Sequence, residues 1–175
     1  PGFYGASDDV HIAWLYEMDK IIKLGQIPPR FVPDLSFAFG YPLFNFVFPL
    51  PFYVGELFPL IGFSFVDSVK AVFLVSVPLS GYFMYKFLKE HATFWIAMAG
   101  AIIYIYTPYR ATDIYVRGAI GEAFSFIFPP LIAWAITKSK VAGLALGLAG
   151  LILSHNITAY MFVPFLLIYA LFNRK

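Results

Sequence analysis

The sequence predicts an all-α, polytopic membrane protein, a helical bundle with an amphipathic helix on its outer face. Three observations predict it. Of the 175 residues, 61% are hydrophobic and 13% charged, whereas about 25% are charged in an average soluble domain. The mean hydropathy is +0.77. Phe 21 and Tyr 12 supply the aromatic residues enriched at membrane–water interfaces. The chain divides into residues 1–66, an extracytoplasmic loop with interfacial helices, and residues 67–175, a transmembrane bundle of about five spans. Net charge +2 gives no reason to expect nucleic acid, and Cys 0 excludes disulfides and thiolate metal sites. "PGFYGASDD" opens without an initiator Met or a signal pattern, and the chain stops just after an apolar run. It therefore reads as the N-terminal portion of a longer membrane protein, with a helix upstream and more helices downstream.

The first element is "SDDVHIAWLYEMDKIIKLGQ". It begins with a Ser/Asp cap signal, and Ile12, Leu15, Tyr16, Ile22 and Leu24 recur at roughly helical spacing. That is an amphipathic helix suited to a membrane surface, ended by Gly25 and "IPP". "VPDLSFAFGYPLF" follows as a Pro/Gly loop. "NFVFPLPFYVGELFPLIGF" (45–63) is apolar enough to span, but Pro49, Pro51 and Pro59 break a helix repeatedly. Glu56 would also be costly at the bilayer centre. The segment reads as lying in the outer interface or dipping partway in.

Spans follow at 68–88, where Pro78 is a tolerable kink, then at 93–108, and at 119–137, broken near Pro129 and Pro130. As a single helix, residues 141–172 would run ~48 Å, too long for a hydrocarbon core of ~30 Å. They are expected to form a hairpin turning at Ser154-His155-Asn156. The links "KFLKEH" (86–91) and "TKSK" (137–140) and the end "NRK" (173–175) then share one side, and their lysines and arginine make it cytoplasmic. The other side receives everything before residue 67, "YRATDIYVRG" and "SHN".

Polar residues therefore converge at the outer face. Asp8, Asp9 and His11 begin the surface helix. Arg110, Asp113 and Arg117 lie on the second outer segment, with Glu122 just inside the next helix, and His155 and Asn156 lie on the third. Each has a plain structural alternative. Arg110 could be an interfacial anchor, Asp113, three residues after Arg110 and four before Arg117, part of a local ion-pair ladder, Asp8 or Ser7 a helix cap, and His155 a satisfied buried histidine. Glu122 is a candidate by default, since a membrane-embedded carboxylate is expensive. An adjacent Asp pair can raise one member's pKa and create a base, or hold Mg2+ or Mn2+ beside a phosphate. Arginines grip phosphate through paired N–H donors. Together these residues fit a lipid-linked phosphate substrate.

"SDDVHIAWLYEMDKIIKLGQIPPRFVPDLSFAFGYPLFNFVFPLPFYVGELFPLIG", with "YRATDIYVRGAIGEAFSF" and "LSHNITA", resembles bacterial membrane proteins called "6-pyruvoyl-tetrahydropterin synthase-related". Those resemble in turn the GT-C superfamily of polyprenyl-phosphate-sugar glycosyltransferases. The second resemblance lies in the layout: an acidic motif in the first outer loop, a surface helix, then a Pro-rich aromatic segment before the next span. It implies transfer of a sugar from a polyprenyl-phosphate donor, a membrane lipid, to an acceptor at the extracytoplasmic face of the cell envelope. Asp8 or Asp9 would act as base or metal ligand. Arg110 and Arg117 would bind the lipid phosphate. His11, Asp113, Glu122, His155 and Asn156 would line the substrate site. Asp8 and Asp9 are adjacent rather than split as D-x-D, a departure that weakens the metal role. Two rival classes remain, a transporter or flippase of lipid-linked substrate and a non-catalytic envelope-assembly protein. Pterin-synthase chemistry is excluded, because that fold holds zinc with three histidines. His11, His91 and His155 cannot meet here, since His91 falls on the cytoplasmic side.

Overall fold

The computed structural model describes residue 5 and residues 7–173. Most of the opening "PGFYGA" and the basic pair Arg174 and Lys175 lie outside the described residues. Every regular element described is helical, and the only extended pairing among them is an isolated bridge between Val32 and Tyr41.

Helix α1 covers His11–Lys23. Its N-cap is Val10 and no side chain caps it, so the cap expected from Ser7 or Asp8 is not formed. Its buried apolar face is also not the expected one. Leu15, Met18 and Ile21 are buried with His11, while Tyr16 and Leu24 are exposed. The reason is tertiary: α1 packs against a helix within 45–63 and the long helix that follows that segment, and His11 and Leu15 meet the first of these at Phe52 and Gly55.

Prolines break 45–63 as expected. It becomes α2 (Leu43–Phe46), α3 (Leu50–Glu56) and a 3-10 turn at Pro59–Ile61. Helix α4 (Phe65–Leu88) then runs unbroken through Pro78. Ser64 caps it, its hydroxyl accepting from Asp67 N at 3.1 Å and donating to Asp67 Oδ2 at 2.7 Å. At 24 residues it is ~36 Å long.

The next helix, α5 (Phe94–Ile105), is only 12 residues, or ~18 Å. Ile105 packs where α4 has Gly81, so α5 stops well short of the far end of α4. A break at Tyr106-Thr107 follows, then α6 (Pro108–Thr112) and a π-helical turn Asp113–Arg117. These continue alongside α4: Arg110 meets Ser80 and Ser76, and Ile114 meets Phe73 and Val77. Residues 94–117 thus form a broken column as long as α4. The segment 109–118 was expected to be an outer loop. It is instead the upper half of that column.

Gly118, at φ 70°, ends the π turn and reverses the chain. Helices α7 (Ile120–Ser125) and α8 (Phe128–Thr137) return, with the break just before Pro129 and Pro130. Helices α9 (Val141–Ser154) and α10 (Asn156–Phe172) form the expected hairpin, turning at an extended His155. Gly147 and Gly150 let α9 approach Ile132 and Phe128 of α8.

Among the described residues, two runs are long and apolar enough to cross a membrane, Phe65–Leu88 and Ile120–Thr137, against about five expected. Only 28% of the α4 window is buried, against 72% for 120–137. The second is therefore the centre of the bundle, and such length alone also suits a core helix. Helices α9 and α10 are apolar but shorter. Large apolar side chains on the outer faces stay exposed, among them Leu74, Trp95, Ile103, Leu146, Phe165 and Phe172.

The bundle has two chemically distinct ends. At one, Lys138 pairs with Glu90 at 2.5 Å, and Tyr169 OH bonds His91 Nε2 at 3.1 Å and Thr137 at 2.8 Å. The links 86–91 and 137–140 therefore do meet, with the last turn of α10. The other end gathers the N-terminal segment, Gly118 and the α9–α10 turn.

Candidate functional site

Two main-chain hydrogen bonds organise the polar end. Ser7 N donates to Val116 O at 3.1 Å and Asp8 N to Arg117 O at 2.8 Å. They fasten the N-terminal segment to the end of the π turn. Asp8 and Asp9 follow, both exposed; their carboxylates act on His11, and Asp8 meets Arg117 through the main chain alone.

Arg117 is the hub. Its Nη1 donates to Glu122 Oε2 at 2.6 Å, Asp113 Oδ1 at 3.0 Å and Tyr109 OH at 3.3 Å. Tyr109 in turn donates to Glu122 Oε1. The Arg117 side chain is 44% exposed, whereas Asp113 is fully buried and Glu122 nearly so. The i,i+4 ladder anticipated for Asp113 and Arg117 is present, and Glu122 extends it into a network.

Arg110 needs a correction. It is 2% exposed, too deep for an interfacial anchor and turned away from any surface phosphate. Its Nη1 donates to Ser80 Oγ at 2.7 Å and its Nη2 to Ser76 Oγ at 3.4 Å. The two hydroxyls donate back to Val77 O and Phe73 O, leaving their lone pairs for the guanidinium. Its other face lies over the Phe126 ring at 5.3 Å. The cause is the short α5, which starts the charged segment at mid-height on α4.

His11 is buried. Its Nε2 accepts from Ile120 N at 3.5 Å, a long contact, and its Nδ1 has no hydrogen bond. Burial holds its pKa below the usual value, against the opposing pull of Asp8, the Gly118 backbone and Asp9. His155 is half-buried and caps α10: its Nδ1 accepts from Thr158 N at 3.3 Å and lies 2.7 Å from Thr158 Oγ1. Burial lowers its pKa too, with Glu122 opposing. A run of rings joins the two histidines, His11 to Phe52 at 5.9 Å, Phe52 to Phe48 at 6.1 Å and Phe48 to His155 at 5.6 Å.

Asn156 is exposed and lines a separate groove of about 170 Å³ with Phe44–Pro49 and Leu153. The structure thus brings Asp8, Asp9, His11, Asp113, Arg117, Glu122 and His155 to one end, buries Arg110 deeper, and sets Asn156 to one side. His91 lies at the opposite end, so the three histidines do not meet. Among the described residues, no group of three or more His, Cys, Asp or Glu could hold a metal ion.

Sequence reasoning missed Tyr109, Ser76 and Ser80. The two serines had a legible signal, an i,i+4 pair flanking Pro78 inside an apolar span. Tyr109 had only its place beside Arg110.

An uncharacterized protein of Lactococcus lactis subsp. cremoris (strain MG1363) is 26% identical over 185 residues, covering 98% of this chain. The chain spans 30% of the length of that relative. No family model matches the chain, and no solved structure matches it.

Proposed function

We propose that this chain is part of a multi-pass cell-membrane glycosyltransferase that moves a sugar from a polyprenyl-phosphate donor to an acceptor at the extracytoplasmic face. One observation carries the reading: the main-chain bonds from Ser7 and Asp8 to Val116 and Arg117. They bring the segment that carries two exposed carboxylates to the same end of the bundle as the half-exposed Arg117 and its acidic partners. The apolar exterior and the lysine-bearing opposite end support a membrane setting with the polar end outside. The resemblance to GT-C enzymes supports the donor class.

On this reading Asp8 or Asp9 takes the proton of the acceptor hydroxyl. Arg117 meets the donor phosphate with its exposed side, while Asp113, Glu122 and Tyr109 fix its orientation. Arg110 positions the π turn from below. The donor set fits no resident metal centre, so no step is routed through one.

The test is Asp8→Asn and Asp9→Asn in the full-length protein. Because α1 has no side-chain cap, these changes remove no capping bond. Transfer from a radiolabelled polyprenyl-phosphate sugar by membranes should fall by 10²–10⁴-fold, the usual cost of a lost general base, about the same in each pH-matched assay. Membrane levels of the protein should not change. Full activity with Asn at both positions would remove the pair from the mechanism.

A transporter of the same lipid-linked substrate is the second reading. The observation favouring it is Arg110 with Asp113, buried at mid-height of α4 in a broken helical column. It predicts that lipid movement across the bilayer survives the double Asn change.

A further inference from the structure

The opposite end of the bundle carries a second polar feature. A cavity of about 430 Å³ opens there between Glu90, His91, Lys138 and Asn173. Glu90 pairs with Lys138. Three more lysines lie at this end of the bundle: Lys140 lines the neighbouring groove, Lys86 is close enough to act on Glu90, and Lys89 ends α4. Lys86 lies 5.2 Å over the Trp134 ring and Lys89 5.7 Å over Phe94, so aromatic faces hold both at the end of the helices. Lys140 is exposed and precedes α9, whose first-turn N–H groups have no side-chain cap. Against Glu90, Lys86, Lys89, Lys138 and Lys140 leave a clear positive excess.

This cavity does not stand alone. It shares Ser139 and Asn173 with a neighbouring groove of about 260 Å³, which adds Val141, Leu144 and Ala170. That groove shares Ile136, Leu144 and Ala170 with a third, about 130 Å³, whose lining is entirely apolar and extends to Leu148 and Val163. The three form one track, polar at the end of the bundle and apolar along its side. From Lys140 to Leu148 the furrow runs ~12 Å along α9.

We propose that this track binds an anionic glycerophospholipid, its phosphate among the lysines and one acyl chain in the furrow between α8, α9 and α10. The polarity order matches such a molecule end to end. A zwitterionic headgroup would leave the lysine excess unmatched, and a free phosphate would gain nothing from the furrow. Basic pockets between membrane helices on the cytoplasmic side suit this chemistry. The site rests on the membrane part of the reading above and not on sugar transfer.

Native mass spectrometry of the full-length protein in detergent tests it, titrated with dioleoyl phosphatidylglycerol, dioleoyl phosphatidylcholine and glycerol 3-phosphate. Phosphatidylglycerol should be retained on the order of tenfold better than phosphatidylcholine. Lys138→Gln with Lys140→Gln, at exposed positions that leave the core untouched, should remove that preference. Ala170→Phe, which fills the furrow, should weaken phosphatidylglycerol retention with every lysine in place. Equal retention of the two lipids, or a preference that survives the double Gln change, would overturn the site. Glycerol 3-phosphate competing as well as the whole lipid would overturn the furrow. Lipid selectivity without sugar transfer leaves this site standing and sinks only the enzyme reading. Recovery of the protein in the soluble fraction would sink the membrane reading and this site with it.

Discussion

Arg110→Met should destabilise the protein by about 1–3 kcal/mol, the scale of hydrogen bonds made by a buried charged group. Met has nearly the length of the aliphatic stem, so volume loss contributes little. The serines lose little as well, because Ser76 and Ser80 keep their own bonds to Phe73 O and Val77 O. Part of the loss falls on Asp113, which feels the Arg110 charge without forming an ion pair with it. That carboxylate is fully buried, its Oδ2 has no hydrogen bond, and Arg117 holds only Oδ1. With Arg110 gone it keeps one nearby cation and shares even that one with Glu122. Asp113→Asn in the Arg110→Met background should therefore recover part of the loss, with a coupling of about 1–3 kcal/mol across the cycle. The assay is equilibrium unfolding of wild type, both single variants and the double variant in one detergent, with donor-lipid binding measured on the same samples. If Arg110→Met stays within about 0.5 kcal/mol of wild type, the range of ordinary surface changes, the inward placement is wrong. Unchanged stability with weakened donor binding would restore Arg110 as a phosphate ligand.

Three further outcomes are expected. Gly121→Ala would put a Cβ 2.6 Å from Ser154 O and 2.5 Å from the Phe48 ring. The ring can turn but the carbonyl cannot, so a loss of about 1–3 kcal/mol is expected in melting experiments, and a neutral change would show that α7 does not cross the α9–α10 turn so closely. Burial, with a hydrogen bond shared with Asp19, pushes Glu56 up to about 8. A folded pKa above the unfolded one stabilises the protein below the unfolded pKa, and that contribution is lost as pH rises through the folded pKa. Amide protection of α1 should therefore fall between about pH 4.5 and 8. Glu56→Gln should flatten that fall, and an unchanged slope would refute the assignment. Cysteines at positions 7 and 156 should react with an impermeant reagent in intact cells while one at 138 does not; labelling of 138 alone would invert the orientation.

What the sequence revealed were features decided locally. Pro49, Pro51 and Pro59 break 45–63 wherever it lies, and the length of 141–172 demands a turn, which falls at His155. The buried face of α1 was not local. Tyr16 and Leu24 fit the helical period as well as Met18 and Ile21 do, and only the position of α3 and α4 decides between them.

The depth of the charged segment belongs to the same class. Hydropathy reads "TFWIAMAGAIIYIYTP" as a span because it ends where charge begins. A span ends where its neighbour ends, however, and α5, whose Ile105 lies against Gly81, stops well short of the far end of α4. The rest of that length is filled by the next residues in the chain, and those are "YRATDIYVR". Their charges are tolerable at that height only because partners meet them there: two serines and a ring for Arg110, and Arg117 for Asp113. The π turn follows from the same constraint. Asp113 O accepts from Gly118 N at 2.9 Å and from Ala119 N at 3.2 Å. The widened turn lets Arg117 reach both Asp113 and Glu122 while its backbone carbonyl receives Asp8 N. Inserted or deleted residues at Tyr106-Thr107 would rotate that whole set. Deleting one residue there should therefore uncouple Asp8 from Arg117 without shortening α4 or α5, and the loss would appear as faster amide exchange at Ser7 and Asp8. Protection that survives the deletion would mean that the N-terminal segment is held by something other than the end of this column.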